Sequence, residues 1–205
     1  MKNIIVLLVS LILFAFPNLL SSQSYLDEEE VKDTWTVSVE RYGDSINDWV
    51  VVASVNGKVT HGDRLRVRIP IKTIERCSIG NTMTTFYTTN IDNEAEDQFL
   101  EGVMIPAKLN NIDIYVNLLF AINFFDHHLV YVDISYNPLE YLKDYFKEQS
   151  EVSLMLKDRI NQNGITLINS DYFDVSLNNF SLNGFNAALD RARVECERLI
   201  TEVSS

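Results

Sequence analysis

The stretch FDVSLNNFSLNGFNAALDRARVEC, Phe173–Cys196, changes its period halfway along. Up to Leu182 polar and apolar residues alternate. Beyond Gly184, Phe185, Ala188, Leu189, Ala192, Cys196, Leu199, Ile200 and Val203 recur at three- and four-residue spacing, with Asp190, Arg191, Arg193, Glu195 and Glu197 between them. The first period is that of a half-buried strand and the second that of an amphipathic helix. The stretch therefore predicts strands over YFDVSL and FSL, then a C-terminal helix starting near Gly184 whose apolar face, Cys196 included, turns into the protein. Such a face must pack on something apolar, and what lies upstream is β.

In WTVSVER, Trp35, Val37 and Val39 fall on one face and Thr36, Ser38 and Glu40 on the other. DWVVVASV runs into Asn56-Gly57, a dipeptide suited to a type I′ turn because both central residues need positive φ. It predicts a hairpin with Val59–His61 as the return arm. RLRVRI turns Leu65, Val67 and Ile69 inward and Arg64, Arg66 and Arg68 outward, and Pro70 ends it. MTTFYTT, Met83–Thr89, is a strand by propensity.

Every even position from Ile112 to Phe124 is apolar. At about 3.3 Å per residue that segment would reach ~40 Å, so a bend or bulge is expected inside it. After a turn at Asp126-His127-His128 the chain returns with Val130, Val132 and Ile134 inward. Asn137-Pro138 reads as the N-cap and first-turn proline of a short helix reaching Gln149, with Leu139, Leu142 and Phe146 on its apolar side. EVSLMLKD is again a strand, and Asn163-Gly164 a second turn. There is no βαβ rhythm. The predicted fold is mainly β: a two-layer antiparallel β-sandwich forming a single domain over residues 35–205, with one internal short helix and a packed C-terminal helix.

The first residues bear on compartment. Lys2 is followed by an uncharged apolar run, Ile4–Phe16, then Pro17 and NLLSSQS. A basic start, an apolar core of about a dozen residues and small residues after it predict a signal peptide over residues 1–22, cleaved after Ser22 or Ser24. A retained anchor is the alternative, but a spanning helix needs roughly 20 apolar residues and Pro17 interrupts this run. Residues 23–34, with YLDEEEVKD, read as a flexible acidic leader. No other segment is long and apolar enough to span a bilayer, so the expectation is a periplasmic or secreted protein with no integral membrane span after signal removal. Seventeen Lys and Arg against 29 Asp and Glu give a net charge of −12, which argues against nucleic acid as a partner, since phosphate binding draws on cationic side chains. Two cysteines in an oxidising compartment are expected to pair. Cys77 and Cys196 therefore predict a disulfide fastening the last helix to the β core.

Motifs that carry chemistry are sparse. The chain lacks a Gly-x-Ser-x-Gly elbow and the phosphate-loop and dinucleotide fingerprints. Carboxylate pairs such as Asp171 with Asp174, or Asp92 with Glu94, show nothing that would shift a pKa. The reading is of a protein that is not an enzyme, with no catalytic residues and no cofactor. No metal site is predicted. The nearest candidates are Asp126, His127 and His128, and only a turn would let both imidazoles converge, with His61 supplied from another hairpin. Arg64, Arg66 and Arg68 form a candidate anion-binding strip for phosphates or glycans, because the guanidinium fork grips oxyanions bidentately. The plainer reading of the same residues is the charged, solvated face of an edge strand.

Taken together, WTVSVER, LRVRIPIKTIERC, YLKDYFKEQSEVSLMLKD and FSLNGFNAALDRARVEC resemble small exported bacterial β-rich proteins of the invasion-associated locus B type. The ending is also similar to that of envelope proteins associated with type VI secretion. Val39 stands where the first family typically has a cysteine. The resemblance implies a periplasmic β-sandwich-like protein with no active site to carry over. The expectation is a non-enzymatic envelope protein that binds an envelope protein or glycan or assists its assembly. A secreted host-directed factor and a carboxylate- or metal-dependent hydrolase are the alternatives.

Overall fold

Alternating apolar positions become a single curled sheet. The computed structural model describes residues 29–31, 35–60, 62–89, 104–124, 127–160, 166–167 and 172–203. In chain order the strands are β1 (Glu29–Val31), β2 (Trp35–Arg41), β3 (Trp49–Asn56), β4 (Arg64–Pro70), β5 (Ile79–Thr88), β6 (Met104–Leu109), β7 (Ile112–Phe124) and β8 (His127–Pro138). Helix α1 (Leu139–Tyr145) follows, then β9 (Glu151–Leu156), β10 (Arg159–Ile160), β11 (Thr166–Leu167), β12 (Leu177–Ser181) and helix α2 (Phe185–Val203). Ten strands pair antiparallel in the order β1-β2-β3-β4-β5-β8-β7-β6-β9-β12, and β10 and β11 form a separate ribbon.

The protein is mainly β with a C-terminal helix. Ten of the strands join in one continuous hydrogen-bonded sheet. That sheet curls until β12, at the edge remote from β1, returns to the end of β3. Phe180 bridges Gly57, the Lys58 N–H donates to the Asn179 carbonyl at 2.9 Å, and the Trp35 indole donates to the Ser181 carbonyl at 2.9 Å. Right-handed strand twist accumulated over many strands favours such curling. It gathers Trp35, Val51, Val67, Phe86, Ile105, Val116, Val132, Leu154 and Phe180 into one core, which α2 joins through Phe185, Ala188, Leu189, Ala192, Cys196 and Leu199. The inward face predicted for α2 is the one it buries, except at its end, where Val203 is exposed.

Several local expectations change. Asn56-Gly57 does not make a tight hairpin: Asn56 pairs with Arg64, and its neighbour Val55 with Leu65 rather than with Lys58 as a two-residue turn would require. Gly57 is instead a point of close approach, since a Cβ there would lie 2.5–2.7 Å from the Asn178 carboxamide. The internal helix is shorter than predicted: it ends at Tyr145, with turns rather than helix carrying the chain to Gln149, and β8 stays paired with β5 as far as Pro138, opposite Ile79, so Asn137 is a strand residue and not a cap. Only one strand, β12, crosses the two segments read as YFDVSL and FSL. Glu29–Val31, read as leader, pair with Val37–Trp35 as a short edge strand. The signal segment 1–22, His61, Asp126 and Asn163-Gly164 lie outside the described residues.

Candidate functional site

The inner face of the curled sheet does not fill completely. A cavity of about 500 Å³ remains, lined by Leu65 and Val67 of β4, Thr82 of β5, Leu109 of β6, Ile112, Ile114 and Tyr115 of β7, and Ile134, Ser135 and Asn137 of β8. The other wall comes from Tyr141, Leu142, Tyr145 and Phe146 in and after α1, Val152 and Leu154 of β9, Phe180 of β12 and Phe185 of α2. Ile112, Tyr115 and Tyr141 are exposed and form the rim. Among the described residues that line it none is charged. A pocket of this size, mostly apolar with a few polar groups, has the make-up of a small-molecule site.

The polar groups are there because of a bulge. Val130 and Val132 of β8 face inward opposite Phe86 and Thr84, so simple alternation would send Ile134 and Tyr136 inward next. Pairing with β5 instead steps from Met83–Asp133 to Thr82–Ser135, leaving Ile134 as the extra residue. An added residue shifts everything after it to the opposite face. Ser135 and Asn137 thus enter the cavity and Tyr136 stays outside, half exposed. Thr82 and Ser135 are cross-strand neighbours on the cavity wall, and Asn137 opposes Gly80 one step along. Thr82 is 5% exposed, and its Oγ1 is buried without a hydrogen-bond partner. Since buried hydroxyls are nearly always paired, such an atom calls for an explanation.

The residues singled out from sequence lie elsewhere. Arg64, Arg66 and Arg68 share the outer face of β4, as the alternation requires, and their charges are partly engaged there. Arg68 donates to the Tyr42 hydroxyl at 2.9 Å and lies 3.9 Å from Glu40, which the same hydroxyl also contacts. Burial, reinforced by Glu40, pushes the Tyr42 hydroxyl up to about 12, so it remains a donor. Arg66 sits over the Tyr131 ring, 5.5 Å from its centre, and reaches its hydroxyl at 3.4 Å. His127 and His128 begin β8 rather than making a turn, so successive side chains leave on opposite faces. The His127 ring packs 4.5 Å from that of Tyr87. Among the described residues no group of three or more His, Cys, Asp or Glu is placed to hold a metal ion. Nor is any described helix long and apolar enough to cross a membrane.

Cys77, in a 3-10 turn at Ile74–Ser78, is bonded to Cys196 of α2, 119 residues away in sequence, and both are fully buried. A second tie was not legible in the sequence. Asp63, in the loop between β3 and β4, accepts hydrogen bonds from Asn178 Nδ2 and from the Tyr87 N–H, each at 2.6 Å, and so links β12 to the β4–β5 side of the seam. Burial raises its carboxyl to about 6, although both hydrogen bonds act the other way.

A scan of family models finds no match to this chain, and comparisons with curated proteins and with solved structures find none either.

Proposed function

We propose that this protein is a non-enzymatic binding protein of the cell envelope, periplasmic or secreted, that receives an apolar small molecule in the cavity of its curled sheet. The observation that carries the reading is that cavity: about 500 Å³, open at a tyrosine-bearing rim and walled by aliphatic and aromatic side chains of β4, β6, β7, β8, β9, β12 and the two helices. Apolar surface kept from water in this way gives a ligand roughly 25 cal/mol per Å² buried. Export is argued from the apolar leader at residues 4–16 and from a buried disulfide, a bond characteristic of oxidising compartments. The envelope setting follows the resemblance in sequence pattern to exported β-rich bacterial proteins. In this reading the outer arginines steady the sheet through tyrosines and Glu40.

The test is titration of purified protein with the neutral dye phenylnaphthylamine, whose emission rises in apolar surroundings. Saturable binding of one dye per chain is expected, and Ile134→Trp, which puts a large ring into the cavity, should remove it while far-ultraviolet dichroism stays β-like. Dye binding that never saturates, or that survives the filling substitution unchanged, would count against the proposal.

A further inference from the structure

The walls of the cavity say more than that its occupant is apolar. Resting on the reading of this cavity as a ligand site, we infer that the occupant is a neutral single-chain amphiphile, such as a long-chain alcohol or ester, bound with its uncharged polar group inward against Thr82.

Three observations converge. First, the polar side chains of the inner wall are neutral and grouped: Thr82 faces Ser135 across the β5–β8 pair, and Asn137 follows on the same strand. Second, Thr82 lines the cavity while its Oγ1 is buried just behind the wall with no partner, so that a rotation of this side chain would bring the hydroxyl to a ligand oxygen and complete its hydrogen bonding. Third, no lining side chain among the described residues carries a charge. A carboxylate or phosphate drawn to that depth would lose its water with no cation to replace it, whereas a hydroxyl or ester oxygen loses little and gains Thr82. Size agrees. At about 30 Å³ for each water-sized group, the cavity of about 500 Å³ has room for roughly sixteen non-hydrogen atoms, enough for a dodecyl chain and its head group.

The inference commits to an orientation. A molecule inserted chain first would leave its head at the rim by Tyr115 and Tyr141, where water tolerates a charge and Thr82 makes no difference. The two arrangements are separated by displacing bound phenylnaphthylamine from the full chain with dodecanol, with ionised dodecanoate and with dodecane. Head-inward binding predicts that dodecanol competes best and that dodecanoate is at least about tenfold weaker. Thr82→Val, which keeps the shape and removes the hydroxyl, should then weaken dodecanol by about tenfold, the size of one buried hydrogen bond. The same variant should leave dodecane unaffected, and Thr82→Ser should restore dodecanol. Ser135→Ala, at a less buried position, provides a second reading if the valine variant folds poorly.

Equal competition by dodecanol and dodecanoate, or indifference of dodecanol to both Thr82→Val and Ser135→Ala, overturns the head-inward inference and leaves the binding reading standing. Failure of the dye and of all three competitors to bind overturns both.

Discussion

Asp63 illustrates how a single side chain sets conditions for the fold. Its carboxyl sits at about 6 in the native protein, against 3.8 when unfolded. The folded form therefore holds the proton more tightly. Below 3.8 both states are neutral and the native state keeps the full advantage, and as pH rises through 6 the buried group must ionise and that advantage is lost. Between pH 7 and pH 5 the wild-type protein should gain about 1 kcal/mol of unfolding free energy from this group, read by urea titration at both values. Asp63→Asn should flatten that slope. It should also lower stability at both pH values by roughly 1–3 kcal/mol, because the carboxamide can accept from Asn178 or from the Tyr87 N–H but turns its own NH₂ toward the other donor. An unchanged slope in the variant would remove Asp63 as its source. Gly57 belongs to the same contact, since the Asn178 carboxamide occupies the space a Cβ would need.

At the scale of elements, what the sequence made legible and what it hid have separate physical causes. Periodicity is local, so β2, β4, the inward face of α2 and the burial of Cys196 all follow from the order of residues. Bulges are not local: they arise from competition between two paired strands. In β7 the length of the apolar run announced a bulge but not its place: the register with β8 shifts between Leu118 and Phe120, after which Ala121 rather than Ile122 opposes the buried Val130, and Ile122 is 45% exposed despite its apolar even position. In β8 the extra Ile134 creates the polar wall of the cavity, which no pattern in ISYNP announces. β6 was hidden for another reason: Ile105, Ala107 and Leu109 do alternate with Pro106 and Lys108, but a proline argues against an interior strand, and β6 is one, paired with β7 along its whole length and with β9 on its other side. The role of the β8 bulge can be tested by removing it. With Ile134 deleted, Ser135 follows Asp133 directly and stays opposite Thr82, so Ser135 and Asn137 should remain on the inner face and Tyr136 outside. Dodecanol affinity should then stay within about threefold of wild type with β-type dichroism retained. A fall of tenfold or more would mean that Ile134 itself, and not the inward placement of Ser135 and Asn137, shapes the site.

Over the whole molecule, two different devices keep the curled sheet closed. One is the polar seam at Gly57, Asp63 and Asn178, joined by the Trp35 indole. The other is the disulfide, which holds α2 to the turn before β5. The Trp35 ring and the disulfide meet α2 at different points. Phe185, at its start, is packed by Trp35 at 5.1 Å and Phe146 at 5.5 Å between ring centres, independently of the sulfur bridge. Cys196 lies eleven residues further on, some 16 Å along a helix at about 1.5 Å per residue. Closing a loop of more than a hundred residues removes entropy from the unfolded chain worth roughly 4–5 kcal/mol. For a protein of this length that corresponds to a fall of about 10–20 °C in melting temperature when the bond is absent. Reduction, or the double substitution Cys77→Ala with Cys196→Ala, should therefore lower Tm by that amount in scanning calorimetry. Well below the melting range, phenylnaphthylamine affinity should stay within about twofold, because the cavity end of α2 keeps its aromatic packing. If affinity collapses at a temperature where dichroism still reports the native sheet, the bridge rather than the Trp35–Phe185–Phe146 cluster positions the helix against the cavity, and the division of labour drawn here between seam and sulfur is wrong.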